Sequence, residues 1–308
     1  MYESLKKTCT DFHLYIFAFD DELLQYLKKK KYSHLTVISL KEFESDQMLQ
    51  IKSTRTIQEY CWTCESLTLQ YCLSHFDIDH CTYIDADLYF YSNPKVLIDE
   101  MGDNDVLLTE HRYTVSENIP YGGRFCVQFI TFRNTENGRK ILDWWCERCI
   151  EWCGADHING LFGDQMYLED WPTRFEKVHV LQHLGGGVAP WNMQQYRFYN
   201  DRGMIKGEAL ENGKVFDVVF FHFHAIKISY KKPILEYFFE GYSIPYSAQK
   251  YLQKQYIQEL GKIAKKLPLA NALNMKLMSV SWRTFLHRIW KRWRAKDNHY
   301  LYTYYGEK

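Results

Sequence analysis

The run Cys81-Thr82-Tyr83-Ile84-Asp85-Ala86-Asp87-Leu88-Tyr89-Phe90 sets two carboxylates, one residue apart, at the end of an apolar β-like stretch. An open α/β sheet binds ligands at such places, beyond the carboxyl ends of its strands. Side chains two apart on a strand share a face, and the small Ala86 lets the Asp85 and Asp87 oxygens converge on one hard divalent cation. Two further Asp-x-Asp copies, Asp77-Ile78-Asp79 and Asp103-Asn104-Asp105, stand among turn-forming neighbours and read as solvated turns. Only the Asp85 copy follows a buried-strand pattern and precedes another apolar run.

Around that run, helix and strand signals alternate, which predicts an α/β fold. After a short opening helix, residues 12–19 and 35–40 have strand composition, and the charged stretch 20–31 between them is patterned as a helix. Residues 53–74 read as one long helix or two, leading into a strand at 81–84, with a turn at Asn93-Pro94. Strands follow at 106–109 and 125–132, separated by a loop containing Tyr121-Gly122-Gly123-Arg124. Residues 135–152 carry apolar side chains at helical spacing, and 163–170 begins a short helix before Trp171-Pro172. A strand at 178–181 feeds Gly185-Gly186-Gly187, and 215–223 is one strong β run ending in a histidine cluster.

Composition bounds the class of protein. A chain of 308 residues, 46% hydrophobic and 25% charged, can bury a large core. No run of eighteen apolar residues occurs, and the opening Met1-Tyr2-Glu3-Ser4-Leu5-Lys6-Lys7 lacks an apolar signal core, so a cytoplasmic protein is expected. Nine cysteines without such a signal argue for reduced thiols. Cys61-x-x-Cys64 and Cys146-x-x-Cys149-x-x-x-Cys153 have spacings compatible with zinc, but both lie in helical patterns where those offsets fall on one face, and buried thiols are the simpler reading.

Net charge is zero, yet residues 246–308 hold thirteen Lys and Arg against three Asp and Glu. The body offers no basic stripe, which argues against nucleic acid as a partner. In the tail, Leu252, Tyr256, Leu260, Ile263 and Leu267 form one helical stripe closed by Pro268. A second stripe of Trp282, Phe285, Leu286, Ile289, Trp290 and Trp293 is interleaved with Arg283, Arg288, Lys291, Arg292 and Arg294. That pattern suits either an anionic membrane interface or docking on the acidic body.

Three further constellations carry chemistry. Phe221-His222-Phe223-His224-Ala225-Ile226-Lys227 offers imidazole and ammonium groups at a strand end, and manganese accepts such a mixture of oxygen and nitrogen ligands. Gly163-Asp164-Gln165 places an acid and an amide at a helix start, where Asp164 serves as an N-cap or hydrogen-bonds sugar hydroxyls beside Gln165. Gly185-Gly186-Gly187, followed by Pro190-Trp191-Asn192, either brings backbone, indole and amide to a ligand or is a flexible turn.

In order, Tyr83-Ile84-Asp85-Ala86-Asp87, Gly163-Asp164-Gln165, Trp191-Asn192 and His222-Phe223-His224-Ala225-Ile226-Lys227 resemble the motifs of GT-A glycosyltransferases. The likeness is to the glycogenin-like retaining branch and the bacterial nucleotide-diphospho-sugar transferases of surface-polysaccharide pathways. It implies a GT-A Rossmann-like mixed sheet flanked by helices, with a catalytic domain over residues 1–243 and a basic amphipathic helical tail over 244–308. It also implies metal-dependent transfer, with retention, from a nucleotide-diphosphate sugar such as a UDP-sugar to a glycan or lipid-linked acceptor. By this resemblance Asp85 and Asp87 bind Mn²⁺ or Mg²⁺, His222 or His224 completes the coordination, and Lys227 contacts phosphate. Ala86, Gly186, Trp191 and Asn192 join the nucleotide-sugar site, and Asp164 and Gln165 lie by the donor sugar and acceptor. The tail then suits peripheral attachment to the inner face of the cell membrane.

The pattern is not followed throughout. Ala225 stands where the family has a glycine, and Lys227 comes one position early. Residues 1–5 resemble the helix after the usual first strand, so that strand is expected to be missing. Two other readings compete: a haloacid-dehalogenase-type phosphatase, which expects a Gly-Thr-like turn where Leu88-Tyr89 stand, and a non-catalytic scaffold or partner subunit.

Overall fold

The computed structural model describes residues 1–114, 122–231, 234–239, 242–266 and 302–305. Helices and strands alternate along it: α1 (Tyr2–Thr8), β1 (Leu14–Ala18), α2 (Asp21–Lys30), β2 (Leu35–Ser39), α3 (Leu40–Phe43), α4 (Asp46–Lys52), α5 (Ile57–His75), β3 (His80–Ile84) and β4 (Leu88–Phe90). Then come α6 (Lys95–Glu100), β5 (Val106–Glu110), β6 (Phe125–Arg133), α7 (Glu136–Glu151), α8 (Trp171–Arg174) and β7 (Val178–Val180). The remaining strands are β8 (Tyr196–Asp201), β9 (Met204–Ala209), β10 (Val215–Asp217), β11 (Phe220–His222), β12 (Ile226–Lys231) and β13 (Ile234–Phe239). Helices α9 (Tyr246–Ala248) and α10 (Lys254–Lys266) and strand β14 (Tyr302–Tyr305) complete the set. The protein is a mixed α/β fold with a C-terminal helix. It divides into two compact units, the first formed by Met1–Ala86, Asn93–His111 and Ile119–Gly187, the second by Asp87–Ser92, Arg112–Asn118 and Val188–Lys308.

In the first unit β1 and β2 pair in parallel, and a four-stranded mixed sheet runs in the order β3-β6-β5-β7. Strand β6 is antiparallel to β3 and β5, while β7 is parallel to β5. Strands β5 and β6 are buried almost throughout, as their continuous apolar sequence requires of strands covered on both faces. Their core is shared with α5 and α7 through Leu69, Leu73, Ile130, Phe132, Trp145 and Trp171, the two indoles meeting edge to face at 5.8 Å. All nine cysteines are free thiols, and Cys64, Cys146, Cys149 and Cys153 are packed as small apolar side chains.

Capping sets where the helices start. The segment 53–74, read as one helix or two, holds one: α4 ends at Lys52, and Thr56 and Glu59 form a reciprocal capping box that opens α5 at Ile57. At α7 the hydroxyl of Thr135 accepts from Gly138 N at 3.0 Å and donates to Asp105 Oδ1 at 2.8 Å. Asp105 is therefore no solvated turn residue: it is 3% exposed, also accepts from Asn137 Nδ2, and ties the start of β5 to the start of α7.

The second unit contains an antiparallel β4–β11 pair, a β10-β9-β8 sheet and a β12-β13-β14 sheet. The run 215–223, expected as one strand, breaks into β10 and β11, which belong to different sheets. Strands β8 and β9 form a hairpin whose two turn residues, Arg202 and Gly203, both have positive φ, the signature of a type I′ turn. The stripe through Leu252 and Tyr256 is buried, but Ile263 is 39% exposed. Between α9 and α10 lies a π-helical turn, Gln249–Gln253, and Tyr91 Oη donates to the Leu252 carbonyl there at 2.6 Å. Phe223 stacks on Tyr256 with centroids 3.7 Å apart. Among the described residues no helix is long and apolar enough to cross a membrane. The stripe from Trp282 to Trp293 lies outside them, as do Leu267 and Pro268. Strand β14 appears where the tail pattern predicted only helix, because Tyr302–Tyr305 pairs in register with β13.

Thr135→Ala is expected to cost about 2 kcal/mol, the sum of a lost cap and a donor taken from buried Asp105. Urea unfolding monitored by circular dichroism measures it, and Thr135→Ser should recover most of the loss.

Candidate active site

The first unit gathers an acidic cluster. Asp85 stands just beyond β3, where its N–H donates to the Gln128 carbonyl of β6 at 3.2 Å and its Oδ1 accepts from Tyr83 Oη at 3.0 Å. Asp164, 4% exposed, precedes a 3₁₀ turn at Gln165–Leu168 but makes no side-chain capping bond, so the N-cap reading does not hold. Its backbone carbonyl is fixed instead by Trp145 Nε1 at 3.0 Å. Glu65, half-buried on α5, is electrostatically coupled to Asp164 and Asp85. Burial, then the charges of Asp164 and Asp85, raise Glu65 well above the ordinary carboxylate range. Burial also lifts Asp164 to about 7, against the opposing pull of hydrogen bonds from Glu65 and the backbone. Gln165 spends its Nε2 on the Gly122 carbonyl at 2.7 Å, which holds the loop before β6.

The second unit builds an acid–histidine site on the short β4–β11 ladder. The register sets His222 opposite Leu88, and Phe223 N donates to the Asp87 carbonyl at 3.0 Å. With the backbones thus fixed, His222 Nε2 lies 3.0 Å from Asp87 Oδ1. His222 is 5% exposed, and its N–H donates to the Val188 carbonyl at 2.9 Å. Desolvation would raise the Asp87 carboxyl, but the charge and hydrogen bond of His222 outweigh it and hold the group below its ordinary value. Trp191 presents its ring edge-on to both His222 and His224, with centroids 5.3 and 5.4 Å away. Ala225 has φ +57, so the position where the resemblance expects a glycine does adopt the left-handed backbone that glycine favours.

The remaining candidates are placed differently. Lys227 is exposed on β12 and acts on His224 through its charge. Asn192 is 1% exposed and accepts from Ala189 N at 2.9 Å, closing a tight turn that positions Trp191. Gly186 is packed in the first unit, where a Cβ would lie 2.6 Å from Leu181 Cδ2, so close packing accounts for that glycine. Ala86 is exposed between the two aspartates.

Sequence reading missed Glu65, Tyr83 and Tyr242, whose ring lies 6.2 Å from that of His224. For Glu65 a signal existed: it is the only charged residue between Glu59 and His75 on α5, with Trp62, Thr63, Cys64, Ser66 and Leu67 around it.

No protein-family model matches the chain. It is 31% identical over 237 residues to the uncharacterized protein YfnD of Bacillus subtilis (strain 168), covering 75% of this chain and 74% of that one. It is 32% identical over 237 residues to the uncharacterized protein YfnF of the same organism, covering 74% and 77%. The chain belongs to the family of these two proteins. Among solved structures, the glycosyltransferase GlyE of Streptococcus pneumoniae TIGR4 aligns with 15% identity and a TM-score of 0.37, over 60% of this chain and 42% of that one.

The raised Asp164 carboxyl has a consequence for stability. Between pH 3.8 and about 7 the folded chain holds a proton that the unfolded chain releases, so this group lowers stability as pH rises through that window. Asp164→Asn removes the penalty. The variant should melt a few degrees above wild type at pH 8, with the gap narrowing toward pH 5 in calorimetric scans.

Proposed function

We propose that the chain is a metal-dependent glycosyltransferase of the GT-A type, moving a sugar from a nucleotide-diphosphate donor, most simply a UDP-sugar, to a glycan or lipid-linked acceptor. The observation that carries this reading is the 3.0 Å approach of His222 Nε2 to Asp87 Oδ1, with Asp85 two residues upstream on the same segment. Two carboxylates and one imidazole form a donor set that suits Mn²⁺ or Mg²⁺, manganese tolerating the nitrogen ligand best. A bound divalent cation would supply positive charge beside the diphosphate of the donor.

In this reading the bond from the anomeric carbon to the diphosphate breaks and its electron pair leaves with the nucleoside diphosphate. The acceptor hydroxyl forms the new bond and loses its proton. Lys227, a point charge on β12, offers a contact for phosphate oxygen. Trp191 offers an apolar wall, Ala86 the close backbone, and Asn192 the turn that holds Trp191 in place. Asp164 and Gln165 lie by the donor sugar and acceptor hydroxyls. Retention of configuration is the expected outcome. His222 completes the ligand set in preference to His224, because only His222 meets Asp87 within hydrogen-bonding distance.

The test is UDP release from a panel of nucleotide sugars. Release is expected to require Mn²⁺ or Mg²⁺ and to fall by about a hundredfold or more in Asp87→Asn. Calorimetric silence toward every nucleotide sugar, with metal present, would instead assign a scaffold or partner-subunit role. The basic tail proposed for residues 244–308 suits an anionic membrane surface on the cytoplasmic side. Flotation with vesicles containing phosphatidylglycerol should recover the full chain and lose it when the tail is deleted; equal flotation would remove the membrane role.

A further inference from the structure

We propose that Trp62, Phe162 and His157 form a stacking platform for a neutral sugar ring beside Asp164, the place taken by the acceptor's terminal sugar. The acceptor is then a chain that ends in a carbohydrate ring, not a bare lipid phosphate, and that part rests on the glycosyltransfer reading above. That a sugar ring binds here rests on the geometry of this surface.

The platform is carried by a loop that is held at its base, its tip and its flank. At the base Gly163 N donates to the Gly154 carbonyl at 2.8 Å, closing residues 154–163 on themselves. At the tip Ile158 and Leu161 exchange backbone bonds of 3.2 and 2.9 Å across Asn159-Gly160, both at positive φ, the geometry of a type I′ turn. On the flank Ala155 N donates to Glu59 Oε1 of α5 at 2.9 Å. Held in this way, the loop sets Phe162 against two rings. Trp62 of α5 lies with its centroid 5.5 Å away, and His157 stacks at 4.3 Å with the planes 9° apart. His157 is exposed and Trp62 and Phe162 are half-buried, so all three keep ring surface in water.

Polar groups adjoin the rings. The Trp62 indole packs on Gly163, where an added Cβ would lie 3.4 Å from its Cε3 and φ is +56, and the next residue is Asp164. Asp164 is 4% exposed and its Oδ2 has no hydrogen-bond partner among the described residues. A buried acceptor left so is satisfied by a donor from outside the fold. Glu65 stands one turn beyond Trp62 on the same face of α5. A sugar matches this mixture. The C–H bonds on one face of a pyranose carry slight positive charge and settle on the negative face of an aromatic ring, while its hydroxyls donate to carboxyl oxygens at the rim. An alkyl chain leaves those carboxyls unsatisfied, and a phosphate is repelled by them.

Saturation-transfer NMR on the full chain, without metal or nucleotide sugar, tests the platform with three neutral probes: maltotriose, cellotriose and triacetylchitotriose. Irradiating the aromatic protons should label the C–H protons of a terminal ring in at least one of them. Titration of that probe should show Trp62→Ala and Phe162→Ala binding about tenfold more weakly, with Trp62→Tyr, which keeps a ring, within about threefold of wild type. If Trp62→Ala does not fold, Phe162→Ala and the exposed His157→Ala carry the same test. No transfer to any probe, or binding unchanged in the variants that fold, overturns the assignment. The acceptor role has its own readout: the probe that binds should raise UDP release from wild type and not from Phe162→Ala. A probe that binds without raising release, in a chain that does turn over a nucleotide sugar, contradicts that role. If the chain turns over no nucleotide sugar, the glycosyltransfer reading fails, and the NMR result alone decides the platform.

Discussion

The pairing of His222 with Asp87 is the interaction on which the account depends. A three-residue ladder between β4 and β11 is short, yet its register and the bond from Phe223 N to the Asp87 carbonyl leave the two side chains nowhere else to meet. His222 is 5% exposed while the Asp87 side chain is 40% exposed, so the imidazole leaves water and its carboxylate partner keeps part of its hydration. Replacing such a pair with apolar side chains is often neutral or stabilising. Under the proposed function, its place beside a second aspartate serves cation binding.

The first unit solves a related problem differently. Glu65, Asp85 and Asp164 bring like charges into a shared, poorly solvated place: Tyr83 Oη donates to Asp85, and burial raises the carboxyls of Glu65 and Asp164. Trp145, Trp171 and Phe132 pack as a rigid aromatic wall behind it. A carboxyl raised toward neutrality by burial is costly to fold around.

Much of this was legible in the sequence wherever one local signal dominated. The apolar runs of β5 and β6, the strand before Asp85 and the amphipathic α7 were read with small errors at their ends, since period and composition agree there. The exact start of α5 was not, because a capping box competes with a helical pattern that runs on either side of it. The β8–β9 hairpin was missed: its turn, Arg202-Gly203, carries only one glycine, and its strands mix charged and aromatic residues. The break between β10 and β11 hid inside one apolar run, because only tertiary pairing separates them. At the site, the motifs named Asp85, Asp87, Asp164 and His222 individually. Glu65 carried a signal, a lone charge on an apolar helix, but its partner is 99 positions away in the chain and only the fold brings them together.

The most direct measurement is pulsed electron paramagnetic resonance of the full chain loaded with Mn²⁺. One bound manganese should show the coupling of a histidine nitrogen, and that coupling should vanish in His222→Gln while persisting in His224→Gln. A manganese signal without nitrogen coupling, or binding indifferent to the loss of both Asp85 and Asp87, would contradict the account.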